Sequence, residues 1–178
     1  MAEPQSYQSS RSIDNAEDYD RIVVLGTDLV IRLATLADEP ALTGFAQRLA
    51  SFELPPWRTG DDIAGADGRQ MMESVRTGQI DDQVFVAERA GEAVGCLHVL
   101  ATTDFFGLRH GHVSVLATSE AAEGTGVGRA LLAFAEDWTR DRNLPMLTLN
   151  VFATNARARR FYERAGMTPE LLQYSKPM

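Results

Sequence analysis

Apolar positions along the chain follow two periods, and the change between them divides the sequence. The first half reads mainly as strands. Leu29 to Leu33 forms one. Val84 to Arg89 and Val94 to Thr102, joined by a Gly91-Glu92 turn, form an antiparallel hairpin, and about His110 to Ala117 forms another strand. Helical spacing interrupts them. Asp38 is placed to cap a helix through about Ala50, with Leu42, Phe45, Ala46 and Leu49 on one face, and the spacing returns from about Arg69 to Arg76. Phe52 to Asp67, with Pro55-Pro56 and scattered glycines, reads as a loop.

The second half alternates. Val127, Leu131, Phe134, Ala135 and Trp138 make one helical stripe ending near Asn143, with Trp138 on its core face. Pro145 to Val151 reads as a strand. Asn155 to Ala165 reads as a helix with Ala158, Phe161, Tyr162 and Ala165 on one face and Gly166 as its stop. The tail has room for a strand around Leu171 to Lys176. Strands first, then strand–helix alternation, predict an α+β (mixed α/β) domain whose sheet is antiparallel and then locally parallel.

Residues 1–21 are polar and without period, so they are expected to form a flexible extension to a single domain over 22–178. They contain no apolar stretch of the kind a signal peptide carries. A net charge of −8 argues against nucleic acid as a partner, and no apolar run reaches the roughly 20 residues of a membrane span. The single cysteine, Cys96, excludes an intrachain disulfide framework, fits a cytoplasmic location, and reads as core packing. No spacing of His, Cys, Asp and Glu suggests a metal site.

The chemistry concentrates at Glu123-Gly124-Thr125-Gly126-Val127-Gly128-Arg129, where a glycine-rich turn follows a strand and opens a helix. Glycine admits close approach of the backbone to a phosphate, and the first N–H groups of the helix point at it, aided by the helix dipole. Downstream stands Asn155-x-x-Ala158-x-x-Phe161-Tyr162-Glu163-x-x-Gly166-Met167. In that order and on those elements, the two motifs resemble the GNAT superfamily of acyl-CoA N-acyltransferases.

The resemblance covers Leu29 to the C-terminus. It implies a central, mostly antiparallel mixed sheet splayed at the CoA site and flanked by about four helices. It also implies acetyl-CoA as cosubstrate and direct attack by a primary amine, of a small molecule or a peptide, on the thioester. By the same resemblance Gly124, Thr125, Gly126, Val127, Gly128 and Arg129 would cradle the pyrophosphate. Leu116, Ala117 and Thr118 would lie along the pantetheine arm, Asn155 would hydrogen-bond that arm, and Tyr162 would protonate the departing thiolate. His112 falls near the register where some members keep a glutamate base, and a neutral imidazole suits deprotonation near pH 7. The competing reading is that His110 and His112 only hydrogen-bond locally. His98, inside the hairpin, reads as structural.

Two departures stand out. Glu123 occupies the place usually held by Gln or Arg, where its carboxylate would either repel the diphosphate or, as expected, turn to solvent with somewhat weaker CoA binding; Arg129 is either a substitute positive charge or a solvated first-turn arginine. Asn150 stands where other members keep an acid. Among Arg157, Arg159, Arg160 and Arg164, some would meet the adenosine 3′-phosphate, and most would be solvated. Substrate choice would lie in Phe52, Pro55, Pro56, Trp57 and Arg58 and in Asp104, Phe105, Phe106 and Arg109. A short tail leaves a sheet edge open to homodimerisation by strand pairing. A catalytically silent acyl-CoA-binding module is the alternative function. A Rossmann domain is disfavoured because no βαβ unit precedes the glycine turn.

Overall fold

A computed structural model describes residues 28–178 and, as backbone, the short strand at 22–23. The expected extension over residues 1–21 lies outside the described residues. In chain order the elements are β1 (Ile22–Val23), β2 (Leu29–Leu33), a 3-10 turn (Leu36–Asp38), α1 (Glu39–Arg48), α2 (Gly60–Thr77), β3 (Asp82–Arg89), β4 (Glu92–Thr103), β5 (Arg109–Thr118), α3 (Val127–Asp141), β6 (Leu147–Leu149) and α4 (Ala156–Arg164). The strands form one sheet in the order β1 to β6. Every neighbouring pair is antiparallel except β5 and β6, which run parallel. This is the mixed, mostly antiparallel sheet with four helices that the sequence predicts.

Alternation along the strands builds a core on each face of the sheet. Leu29, Ile31, Phe85, Leu97, Val99 and Val113 face α3, which contributes Val127, Leu131, Phe134 and Trp138. Trp138 is fully buried and donates its indole N–H to Gln83 Oε1 at 2.8 Å. Val84, Val86, Cys96, Val115 and Ala117 face α1 and α2, against Leu42, Phe45, Met71 and Met72. Burial pushes the Cys96 thiol up to about 12, so it packs there as a neutral side chain.

Four local expectations are corrected. The stretch read as a loop to Asp67 becomes helical at Gly60, because Thr59 and Asp62 form a reciprocal capping box and Met71 and Met72 bury one face. Glycine content hid that start. Asp38 precedes α1 but does not cap it through its side chain. Its carboxylate instead takes Arg32 at 2.7 and 2.8 Å and the Thr35 N–H at 2.7 Å. The strand read over Pro145 to Val151 pairs only at Leu147–Leu149. The tail forms no strand. Leu171, Leu172 and Tyr174 are exposed, because three-residue β6 offers too short an edge to recruit another strand.

Candidate functional site

β5 and β6 pair only at Gly111–Leu147, His112–Thr148 and Val113–Leu149, and then part. A register shift between β4 and β5 opposite His98 and Val99 places Ser114 as an extra residue at the parting point. Its effect can be followed through the backbone. Gly111 N–H donates to Met146 O, on the β6 side, at 2.9 Å, whereas Ser119 N–H donates to Val94 O, on the β4 side, at 2.9 Å. Since backbone direction alternates along a strand, Ala117 also faces β4, and its carbonyl oxygen lies only 2.9 Å from where a Cβ on Gly95 would fall. Leu116 then turns its N–H and C=O groups into the open wedge, and so does Thr118, whose carbonyl already accepts from Arg48 Nε at 2.8 Å. Of the three residues expected along the acyl-CoA arm, Leu116 and Thr118 present backbone to the wedge and Ala117 does not.

The glycine turn closes the end of the wedge. Gly124 and Gly126 have φ of 72° and 92°, conformations that a side chain disfavours. Thr125 is tied back by its N–H and hydroxyl to Ala122 O. The first helical bond of α3 runs from Ala130 N–H to Gly126 O at 3.0 Å, which leaves the N–H groups of Val127, Gly128 and Arg129 outside the helix ladder. A Cβ on Gly128 would lie 3.7 Å from Phe161, 3.8 Å from Thr118 and 3.9 Å from Leu116. Turn, strand end and α4 converge at that point. Arg129 is exposed, and Arg89 reaches Thr125 Oγ1 at 3.3 Å from the end of β3.

α4 brings the second motif to the same place. Asn155 caps it, its Oδ1 accepting from Ala158 N–H at 3.0 Å, which leaves its amide NH2 as the donor for a ligand. Seven residues on, Tyr162 lies on the same face, its ring 5.1 Å from that of Phe161. Burial pushes the phenol up to about 12. Glu123 is not turned to solvent, which corrects the expectation for it. Its carboxylate accepts from Arg157 at 2.6 Å and from Arg48 at 2.7 Å, and the two guanidinium groups hold it below the usual carboxylate range.

His112 stands at the foot of the wedge. Its Nδ1 lies 2.8 Å from Thr148 Oγ1, and burial, with His110 and His98 nearby, lowers its pKa. The Thr148 hydroxyl also lies 3.4 Å from Gly111 O; in the tautomer in which it donates there, its oxygen accepts the Nδ1 proton and Nε2 is the basic nitrogen. His110 is buried, with Nδ1 3.1 Å from Leu108 O. His98 is also buried, its Nε2 2.6 Å from Asp82 and 3.1 Å from Ser74.

The two expected acceptor loops are not equivalent. Phe52 packs against Phe152, just beyond β6, with ring centroids 5.3 Å apart and the rings tilted by 42°. Phe105 and Phe106 project from the β4–β5 hairpin tip, at the end of β5 remote from the glycine turn, and are 96% and 78% exposed. Arg48 and Thr148 escaped the sequence reading, because neither sits inside a motif. Among the described residues no group of His, Cys, Asp and Glu could hold a metal, and no helix is long and apolar enough to cross a membrane.

Comparison with known proteins agrees with this geometry. The model described as Acetyltransferase (GNAT) family matches residues 42–167. A mycothiol acetyltransferase of Acidothermus cellulolyticus is 38% identical over 96 residues, 48% of this chain and 29% of that protein. An uncharacterized N-acetyltransferase of Methanocaldococcus jannaschii is 36% identical over 83 residues, 46% of this chain and 50% of that one. The chain thus matches less than a third of the length of the mycothiol acetyltransferase and half of the archaeal protein. Among solved structures, a GCN5-related N-acetyltransferase from Ralstonia eutropha superposes with a TM-score of 0.65 at 18% identity, covering 84% of this chain and 98% of the other. A ribosomal-protein-alanine N-acetyltransferase from Brucella melitensis gives 0.63 at 19% identity, covering 84% and 99%. These two likenesses concern the fold.

Proposed function

The chain belongs to the GNAT acetyltransferase family, and from that premise we propose that it transfers an acetyl group from acetyl-CoA to a primary amine by direct attack on the thioester. The observation that carries the reading is the wedge between β5 and β6, with outward-facing backbone at Leu116 and Thr118 on one side and the glycine turn at its end. An extended pantetheine arm would pair with that backbone as an added strand does. The N–H groups of Val127, Gly128 and Arg129, with the side chain of Arg129, would hold the diphosphate. Asn155 would donate its amide to the arm. The thioester supplies the activated acetyl group.

This chain's own groups would then manage charge and protons. A lysine-like amine arrives as ammonium, with a pKa of about 10, and must lose a proton before it attacks. His112, neutral through burial and oriented by Thr148, would accept that proton at Nε2, directly or through water. The Leu116 N–H would meet the negative charge that develops on the carbonyl oxygen. Tyr162, protonated throughout the neutral range, would give its proton to the departing sulfur. The acceptor is a small-molecule or peptide amine, and Phe52 with Phe152 would form its wall next to the wedge.

Calorimetric titration with acetyl-CoA tests the donor, and release of CoA thiol across a panel of amines tests the reaction. The reading expects saturable one-site binding and amine-dependent thiol release. Binding with no transfer to any amine would leave a silent acyl-CoA-binding module, and no binding would overturn the proposal.

A further inference from the structure

Glu123 places a negative charge in the turn that would receive a diphosphate, yet neither of its carboxylate oxygens is free to face one. Oε1 accepts from Arg48 Nη2 at 2.7 Å, and Oε2 accepts from Arg157 Nη2 at 2.6 Å. The two arginines come from different elements: Arg48 is the last residue of α1, and Arg157 is the second of α4. Arg48 also donates its Nε to Thr118 O at 2.8 Å, the last carbonyl on the wedge-facing side of β5. One carboxylate therefore ties together α1, the end of β5, the glycine turn and α4, the elements that converge on the wedge.

Single exposed ion pairs contribute little to stability, because solvent screens them and side-chain entropy opposes them. This arrangement differs in two respects. The carboxylate is shared by two guanidinium groups, and one of those is held on a backbone carbonyl. Charge-assisted bonds of this kind fix geometry as well as energy. The stoichiometry matters too: two guanidinium groups flank the one carboxylate in hydrogen-bond contact beside the turn. By contrast, Glu120 lies 3.8 Å from Arg48 Nη1 with its side chain 90% exposed, at the margin of the cluster.

We propose that Glu123 is a positioning residue of the acyl-CoA site, which acts through Arg48 and Arg157 to hold the glycine turn between β5 and α4. The inference rests on the acyl-CoA reading above and deepens it. It reverses the effect expected of a carboxylate at this position. If Glu123 faced the diphosphate, removing its charge would tighten binding. As a clasp for two arginines, its loss loosens the turn and weakens binding.

Acetyl-CoA affinity, measured by calorimetry on the full chain, separates the two. Glu123→Gln is expected to weaken binding by about tenfold, the order of a lost charge-assisted bond. Glu123→Asp, too short to reach both arginines, should fall between Gln and the parent. The Glu123→Gln/Arg157→Gln pair should be no weaker than the weaker single variant, and Glu120→Gln should bind as the parent does. Thermal melting of each variant verifies that it is folded, and the Asp variant keeps the test intact should the Gln variant not fold. Unchanged or tighter binding by folded Glu123→Gln overturns the clasp and leaves the acyl-CoA reading standing. Absence of binding by the parent overturns both.

Discussion

The Nδ1 nitrogen of His112 lies 2.8 Å from the Thr148 hydroxyl on the neighbouring parallel strand, at the last rungs before β5 and β6 part. Pairing register therefore places an orienting group beside the candidate base. Parallel register, unlike a motif, cannot be read from spacing.

This relationship sets a pH profile. Burial disfavours the imidazolium, so the folded pKa of His112 lies below its ordinary 6.5. The neutral base is present above that value and lost as pH falls, so kcat/KM is expected to rise along a limb centred below pH 6.5 and then level off. His112→Gln should abolish the limb. Thr148→Val should keep it while lowering kcat/KM by about tenfold, because the ring loses its orienting partner. A limb that survives unchanged in His112→Gln removes the histidine from the role.

Tyr162 gives a second, separable test. With its phenol pushed up to about 12, it stays protonated across the assay range, so no descending limb below about pH 10 belongs to it. Tyr162→Phe should reduce turnover roughly 10²-fold while acetyl-CoA affinity, read by calorimetry, holds. Equal turnover in the Phe variant would mean that the thiolate leaves without this proton.

Much of the fold was legible because strand alternation and helical stripes follow directly from burial. The β3–β4 hairpin, the core face of α3 and the order of the two motifs are examples. The start of α2 was hidden because glycine counts as a loop signal, although Thr59 and Asp62 carried a readable capping box. The orientation of Glu123 was not legible at all. Its partners Arg48 and Arg157 lie 75 and 34 positions away, and tertiary structure alone brings them together. The commitment of Ala117 to β4 likewise depends on the extra residue at Ser114, a register shift with no sequence mark.

Away from the site, Asp38 predicts how stability responds to acid. Its pKa is lowered from 3.8 to about 2, mainly by hydrogen bonds from Arg32, whose own pKa is raised by Asp38 and Glu88. A depressed carboxylate contributes stability that is fully present above the unfolded value of 3.8 and is lost as pH falls through 2. The contribution is of order 2 kcal/mol, at about 1.4 kcal/mol for each tenfold change in proton affinity. Asp38→Asn should therefore lower denaturant stability at pH 7 by about that amount and flatten its decline between pH 4 and pH 2. An unchanged acid decline in the variant would assign it to other carboxylates.

Gly111 provides the last prediction, and it concerns the foot of the wedge. A Cβ there would overlap Thr139 Oγ1 and fall 3.0 Å from Thr139 Cγ2 and 3.3 Å from Leu147 Cδ1. Thr139 is buried on α3 and its hydroxyl donates to Ala135 O, so it has little room to turn away. Gly111→Ala must then push α3 off the strand pair or distort the rung next to His112, at a cost of about 1–3 kcal/mol. For a chain of this size that is a fall in Tm of roughly 2–4 °C per kcal/mol. Thr139→Ala removes both close atoms, so Gly111→Ala should cost less in a Thr139→Ala background than in the parent. Thermal melting of the four proteins gives the coupling directly. Purely additive losses would show that Thr139 is not what requires glycine at Gly111.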